Sequence, residues 1–148
     1  MKIEIKCKLT QKVLFSHNCE DNTIKKTVER AVKENADLCN ADLCNANMYN
    51  ADLRNADLRY ADLCNANLDN LKSISVSDHY LLSQILFNNA KTTKQREWAG
   101  LIRISIDWCW KDFLRNMSKP CIKWCVSVLS KYPEFAEMYE KERKGINE

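Results

Sequence analysis

Glycine and proline are almost missing from this chain, with two of each among 148 residues. That scarcity argues against a loop-rich protein and leaves tight turns to some other residue type. Histidine is equally scarce, and the eight cysteines include no Cys-x-x-Cys pair, so a zinc ribbon is not expected. No stretch approaches the roughly 18 consecutive apolar residues of a membrane span. The opening MKIEIKCKLT alternates charged and apolar residues and lacks the apolar core of a secretion signal. These absences predict a soluble, cytoplasmic protein whose cysteines are mostly free thiols. No nucleophile motif, Gly-rich phosphate loop or zinc-protease signature occurs. Catalysis, a cofactor and a metal are therefore not expected. The net charge of +3 exerts no global pull toward nucleic acid.

What is present divides the chain into three. Residues 1–34 carry a net +3, residues 35–70 a net −4 and residues 71–148 a net +4, counted from the sequence. In the first segment, IEIKCKL and KVLFSH are β-prone runs on either side of Thr10-Gln11, the pattern of a hairpin. Ile24, Val28, Ala31 and Val32 then fall on one face of a helix, with Asp21 or Thr23 as its cap.

The middle segment repeats every five residues: NADLC, NADLC, NANMY, NADLR, NADLR, YADLC, NANLD. Its central apolar residues are Leu38, Leu43, Met48, Leu53, Leu58, Leu63 and Leu68. On a helix, steps of five scatter this set around the barrel. On a flat strand, an odd step sends successive members to opposite faces. A chain that turns a corner every fifth residue buries all of them. The alanine two places earlier, from Ala36 to Ala66, then points inward too, small enough for close backbone approach. Asn holds the corner in six of the seven units, and Asn tolerates the left-handed region better than any residue but Gly.

These units resemble the pentapeptide-repeat family, whose repeat is roughly Ala-(Asp/Asn)-Leu-x-x. The resemblance implies an α+β chain containing a short right-handed quadrilateral β-helix of about two coils, four units to a coil. So short a solenoid needs its ends covered. An N-terminal hairpin and helix (1–34) and a C-terminal α-helical bundle (71–148) are the expected covers. The flanks KCKLTQKVLFSHNCEDNTIKKTVERAVKENADL and WAGLIRISIDWCWKDFL resemble, more loosely, segments of phage and prophage members. In that fold, residues twenty apart stack at about 4.8 Å. Asp37 is expected over Asp57, Asp42 over Asp62, Asn47 over Asn67, Tyr49 over Asp69 and Cys39 over Arg59. Cys44 over Cys64 comes near disulfide distance, with two stacked thiols the expected state in a reducing cytosol.

In the tail, SDHYLLSQILFNN predicts a helix with Ser77 as cap and Leu81, Leu82, Ile85 and Leu86 on one face. TTKQ reads as a capping box of Thr92 and Gln95. It opens a helix expected to run to about Met117. A stripe of Trp98, Ile102, Ile106, Cys109 and Phe113, flanked by Leu101, Ile104 and Trp108, makes that helix the expected buried centre of the bundle. Ser118 and Pro120 begin another helix. Pro133 opens the last, and Gly145 is expected to close it. Cys121 and Cys125, four apart beside Trp124, read as core. His79 reads as a surface or capping residue. Cys7, His17 and Cys19 match no common metal spacing.

Some members of the family imitate DNA and block gyrase through a long, acidic, dimeric β-helix. This chain departs from them in repeat length and in its basic net charge. The resemblance implies instead a non-enzymatic protein-binding module: a phage inhibitor that docks on a host protein, such as a nuclease or a defence (including CRISPR) complex. The candidate contact residues are Asp37, Asp42, Tyr49, Asp52, Arg54, Asp57, Arg59, Tyr60 and Asp62. The competing role for the aspartates is to bond backbone amides at the corners. The alternative contact surface is a basic face of Arg103, Lys111, Arg115, Lys119 and Lys123, interleaved with Trp, for nucleic acid. That face competes with an ordinary solvated surface. A third reading is an assembly protein, a homodimer through the helical tail.

Overall fold

A computed structural model describes residues 1–74, 79–104 and 109–146. The chain opens with β1 (Lys2–Lys6) and β2 (Val13–Asn18), an antiparallel pair with Ile5 opposite Phe15 and a bulge between Ile5 and Lys6. Gln11 supplies the left-handed turn residue at φ 59°, and its N–H donates to the Cys7 carbonyl at 2.9 Å. Helix α1 (Ile24–Lys33) follows. Of the two candidate caps, Thr23 takes the role, its hydroxyl accepting from the Lys26 N–H at 3.1 Å, while Asp21 occupies a left-handed turn at φ 48°. Val28 and Ala31 are completely buried against the rest of the core.

The repeat segment turns at every fifth residue. Asn35, Asn40, Asn45, Asn50, Asn55, Tyr60, Asn65 and Asn70 all have φ between 51° and 61°. Across the six turns from Asn40 to Asn65 the alanine N–H donates back to the central apolar residue's carbonyl, as from Ala41 to Leu38 at 3.0 Å and from Ala56 to Leu53 at 3.2 Å. A four-residue turn with positive φ at its third position favours Gly or Asn there. In a segment without glycine, asparagine does that work at seven of the eight turns and Tyr60 at the other. The seven central residues are all buried, and so is every alanine of the series except the half-buried Ala36.

Parallel bridges join Asp42 to Asp62 and Asn47 to Asn67, twenty residues apart. Backbone bonds between Asn45 and Cys64 (2.8 Å) and between Asn50 and Asp69 (3.1 Å) keep nearly the same step. The next bridge, Asp52 to Ser73, spans one residue more. The extra residue enters after Lys72, whose N–H still donates to the Ala51 carbonyl in the regular step, and the buried side chains of Leu71 and Ile74 end the apolar column.

Both ends of the column are occupied. At the first, Cys7 bridges antiparallel to Ala41, and the Asp42 N–H donates to the Lys6 carbonyl at 2.8 Å. The Glu29 carboxylate of α1 accepts the Asp52 N–H at 3.0 Å. At the other end stand, among the described residues, five helices: α2 (His79–Asn88), α3 (Thr93–Ile104), α4 (Trp110–Asn116), α5 (Lys119–Leu129) and α6 (Pro133–Ile146). The Asn88 side chain donates to the Ala66 carbonyl at 3.0 Å, the Tyr132 hydroxyl to the Leu68 carbonyl at 3.2 Å, and the Ser73 hydroxyl to Glu134. One contiguous apolar core runs from Ile5 to Phe135.

The tail departs from expectation in three places. The helix opened by the Thr92–Gln95 capping box, with both reciprocal bonds at 3.2 Å, does not continue to Met117. Cys109 is extended (φ −137°, ψ 123°) and α4 starts after it. Nor is α3 the buried centre. Leu101 is 49% exposed and Ile104 72%. Helix α2 takes that place, burying every residue from Leu81 to Leu86. A stripe buries only when another element covers it, and α3 turns its second flank outward. Third, Gly145 lies inside α6, which continues to Ile146. The Ser77 cap, Ile106 and Trp108 lie outside the described residues. Among the described residues, no helix is long and apolar enough to cross a membrane.

Candidate functional site

Each Asp or Asn before the central apolar residue has the same task in all seven units. Its Oδ1 accepts the N–H two residues on, from 2.8 Å at Asp37 to 3.3 Å at Asp42 and Asp57. One carboxylate oxygen of every aspartate in the ladder thus serves a turn. This is the backbone-bonding role weighed from the sequence.

The nine candidate residues fall into separate sets, because successive units face different directions. Asp37, Asp57 and Arg59 share one, beside Cys39, whose thiol is pushed up by loss of solvent and by Asp37 and Asp57. Asp42 and Asp62 share the next, with Cys44 and Cys64. Tyr49 stands alone among the candidates in the third, its hydroxyl accepting from the Asn70 side chain at 3.0 Å. Asp52 and Arg54 form the fourth, against Glu29 of α1 and Lys72. Tyr60 occupies a turn, 52% exposed, its ring 4.7 Å from that of Tyr80.

Two of the aspartates are clamped. Arg54 donates Nε and Nη2 to the two oxygens of Asp52 at 3.1 and 2.8 Å, and Arg59 does the same to Asp57 at 2.8 and 2.6 Å. These hydrogen bonds hold both carboxyls below their ordinary range and push both guanidinium groups above theirs. The clamp fixes the long arginine side chains, both mainly exposed, to a rigid backbone. Beside the first clamp, Glu29, Val32, Lys33, Asn35, Asp52, Arg54, Asn55 and Lys72 line a groove of about 470 Å³. Glu29, Lys33 and Lys72 belong to no repeat, and no local pattern in the sequence marks them.

The basic candidates spread over three helices. Arg103 is half-buried on α3 with a long bond to Gln84 at 3.5 Å. Lys111 and Arg115 lie on α4, and Lys119 and Lys123 on α5. Of the described tryptophans, Trp110 is buried and Trp98 and Trp124 are half-buried, while Trp108 lies outside the described residues. Trp98 rests on Trp124 at 6.1 Å, and Trp110 is buried edge-on to Phe113 and Phe135. Cys121 and Cys125 are fully buried on α5. The Cys125 thiol is pushed far up by its bond to the Cys121 sulfur and by burial, which makes the pair core. His79 is half-buried at the start of α2, its ring 4.6 Å from Tyr80.

The model of the family described as pentapeptide repeats matches residues 34–70, in eight copies. The eight positive-φ turns occupy the same span. No curated protein and no solved structure matches the chain.

Proposed function

Taking residues 34–70 as pentapeptide repeats, we propose that the chain is a non-enzymatic protein-binding module, a phage-encoded inhibitor that docks on a host defence or nucleic-acid-processing enzyme. Its repeats form a right-handed quadrilateral β-helix of about two coils in the bacterial cytoplasm. The observation that carries this reading is the immobilised repeat surface. Turn-locked aspartates hold Arg54 and Arg59 in bidentate poses, and the aromatics Tyr49 and Tyr60 stand half-exposed elsewhere on the same segment. Fixing a side chain before contact removes about 0.5–1.5 kcal/mol of ordering cost for each residue at an interface. Tyrosine and arginine are also the side chains that dominate binding energy.

A tagged chain is captured from bacterial lysate, washed at moderate salt, and the retained proteins are identified by mass spectrometry. One stoichiometric host protein is expected, released when Tyr49, Arg54, Arg59 and Tyr60 are replaced by alanine. Nucleic acid alone, lost as salt rises, would overturn the reading in favour of the basic face. A clean homo-oligomer without a partner would overturn it in favour of assembly.

A further inference from the structure

We propose that Cys44, Cys64 and Asp62 form a surface site for a thiophilic divalent ion of the zinc and cadmium class. The inference is independent of the protein-binding reading. The repeat register creates the site. The Leu43 N–H donates to the Asp62 carbonyl at 2.9 Å and the Asn45 N–H to the Cys64 carbonyl at 2.8 Å, so the two cysteines stack on adjacent rungs. Their sulfurs and a carboxylate oxygen of Asp62 lie within 4.8 Å of one another, which no other trio of such ligands does among the described residues.

Zinc–sulfur bonds of about 2.3 Å at a tetrahedral ion put two thiolates about 3.8 Å apart, within reach of this stack by small side-chain rotations. The ligands are also held from behind. Asp62 accepts the Cys64 N–H at 3.0 Å, and the Asn45 side chain donates to the Cys44 sulfur at 3.2 Å. Such outer bonds orient metal ligands.

Charge separates this corner from its neighbours. Two residues after the aspartate, the clamped units carry Arg54 and Arg59. Here Cys64 and Cys44 occupy that position instead. A bound cation supplies the positive charge that arginine supplies in the two clamped units, and both thiols lose their protons as it binds. Three protein ligands leave a fourth position for water or for a donor from another molecule.

The test titrates the reduced full-length chain with cadmium, followed by calorimetry and by the thiolate-to-metal charge-transfer band. One equivalent is expected to bind. Cys44→Ser and Cys64→Ser should each weaken binding by about tenfold or more, and Asp62→Asn by several-fold. Bound metal should also protect Cys44 and Cys64 from alkylation. Unchanged melting of the metal-free variants keeps the result separate from folding. Cadmium binding that survives the double Cys44→Ser, Cys64→Ser change would overturn the proposal. So would an Asp62→Asn variant of undiminished affinity, which would reduce the site to a simple thiol pair.

Discussion

The repeat segment and the helical tail solve the same problem, burying apolar side chains, by opposite means. In the repeats a local rule does it. Every fifth residue turns, each turn from Asn40 to Asn70 is locked by an Asp or Asn side chain, and each central Leu or Met is thereby aimed inward. In the tail no local rule suffices. Helix α2 is buried along six consecutive residues because neighbours cover it, while α3 leaves Leu101 and Ile104 facing out. The repeats therefore present a surface whose geometry is set residue by residue. The tail presents one set by how its helices happen to meet. Side chains on the first are pre-ordered for contact, and that is the physical basis for assigning the binding role there.

Mutations can break this comparison, beginning with the core. Leu58→Ala should cost about 2–5 kcal/mol, because the column cannot collapse around the lost volume. Ile104→Ala, in the tail, should change stability by less than about 0.5 kcal/mol. Denaturant unfolding of the two variants measures both. Turn chemistry comes next. Asn55→Ala should destabilise by about 1 kcal/mol, since alanine enters the left-handed region at higher cost. Tyr60→Asn should move stability the other way. It relieves the aromatic residue of φ 60° and gives up the Tyr80 ring contact, worth about 0.5–1.5 kcal/mol, so the net gain is expected to be a few tenths of a kcal/mol at most.

The arginine clamps give a pH test. Asp52 and Asp57 have folded-state values below the ordinary one. Their contribution is thus fully present above the unfolded carboxylate value of roughly 3.9 and is lost as pH falls through the lowered folded values. Wild type should lose stability on acidification below about pH 4, and the Asp52→Asn, Asp57→Asn double variant should lose less. Paired urea melts at neutral and acid pH would show it. A local effect in the tail lies at the capping box. Thr92→Ala should cost about 1 kcal/mol or less and leave the repeat turns untouched, as read from their amide exchange.

How legible each region was in the sequence follows from the same contrast. The Asn at every fifth place, the inward Leu and Ala, and the step of twenty were all readable, because turn chemistry acts within a few residues. Even Met48 behaves as a leucine would. The longer step to Ser73 was not readable, since Leu71 keeps the alanine position of the period and only Ile74, one residue past the next central position, departs from it. The end of α3 before Met117 is announced by no Gly or Pro, and the extended backbone of Cys109 has no local signal in the sequence. At the candidate site the turn role of the aspartates was legible. The contact of Glu29 with Asp52, twenty-three residues apart, was not, because it depends on where α1 comes to rest.

Native-state amide hydrogen exchange tests the central contrast most directly. The ladder N–H groups of Asp62 and Asn67, which donate to the Ala41 and Ala46 carbonyls, should exchange only through global unfolding and share one free energy. The amides of α3 should open separately and orders of magnitude faster. Repeat amides that exchange as fast as those of α3 would contradict a preformed, rigid platform, and with it the reason for placing the binding function on the repeats.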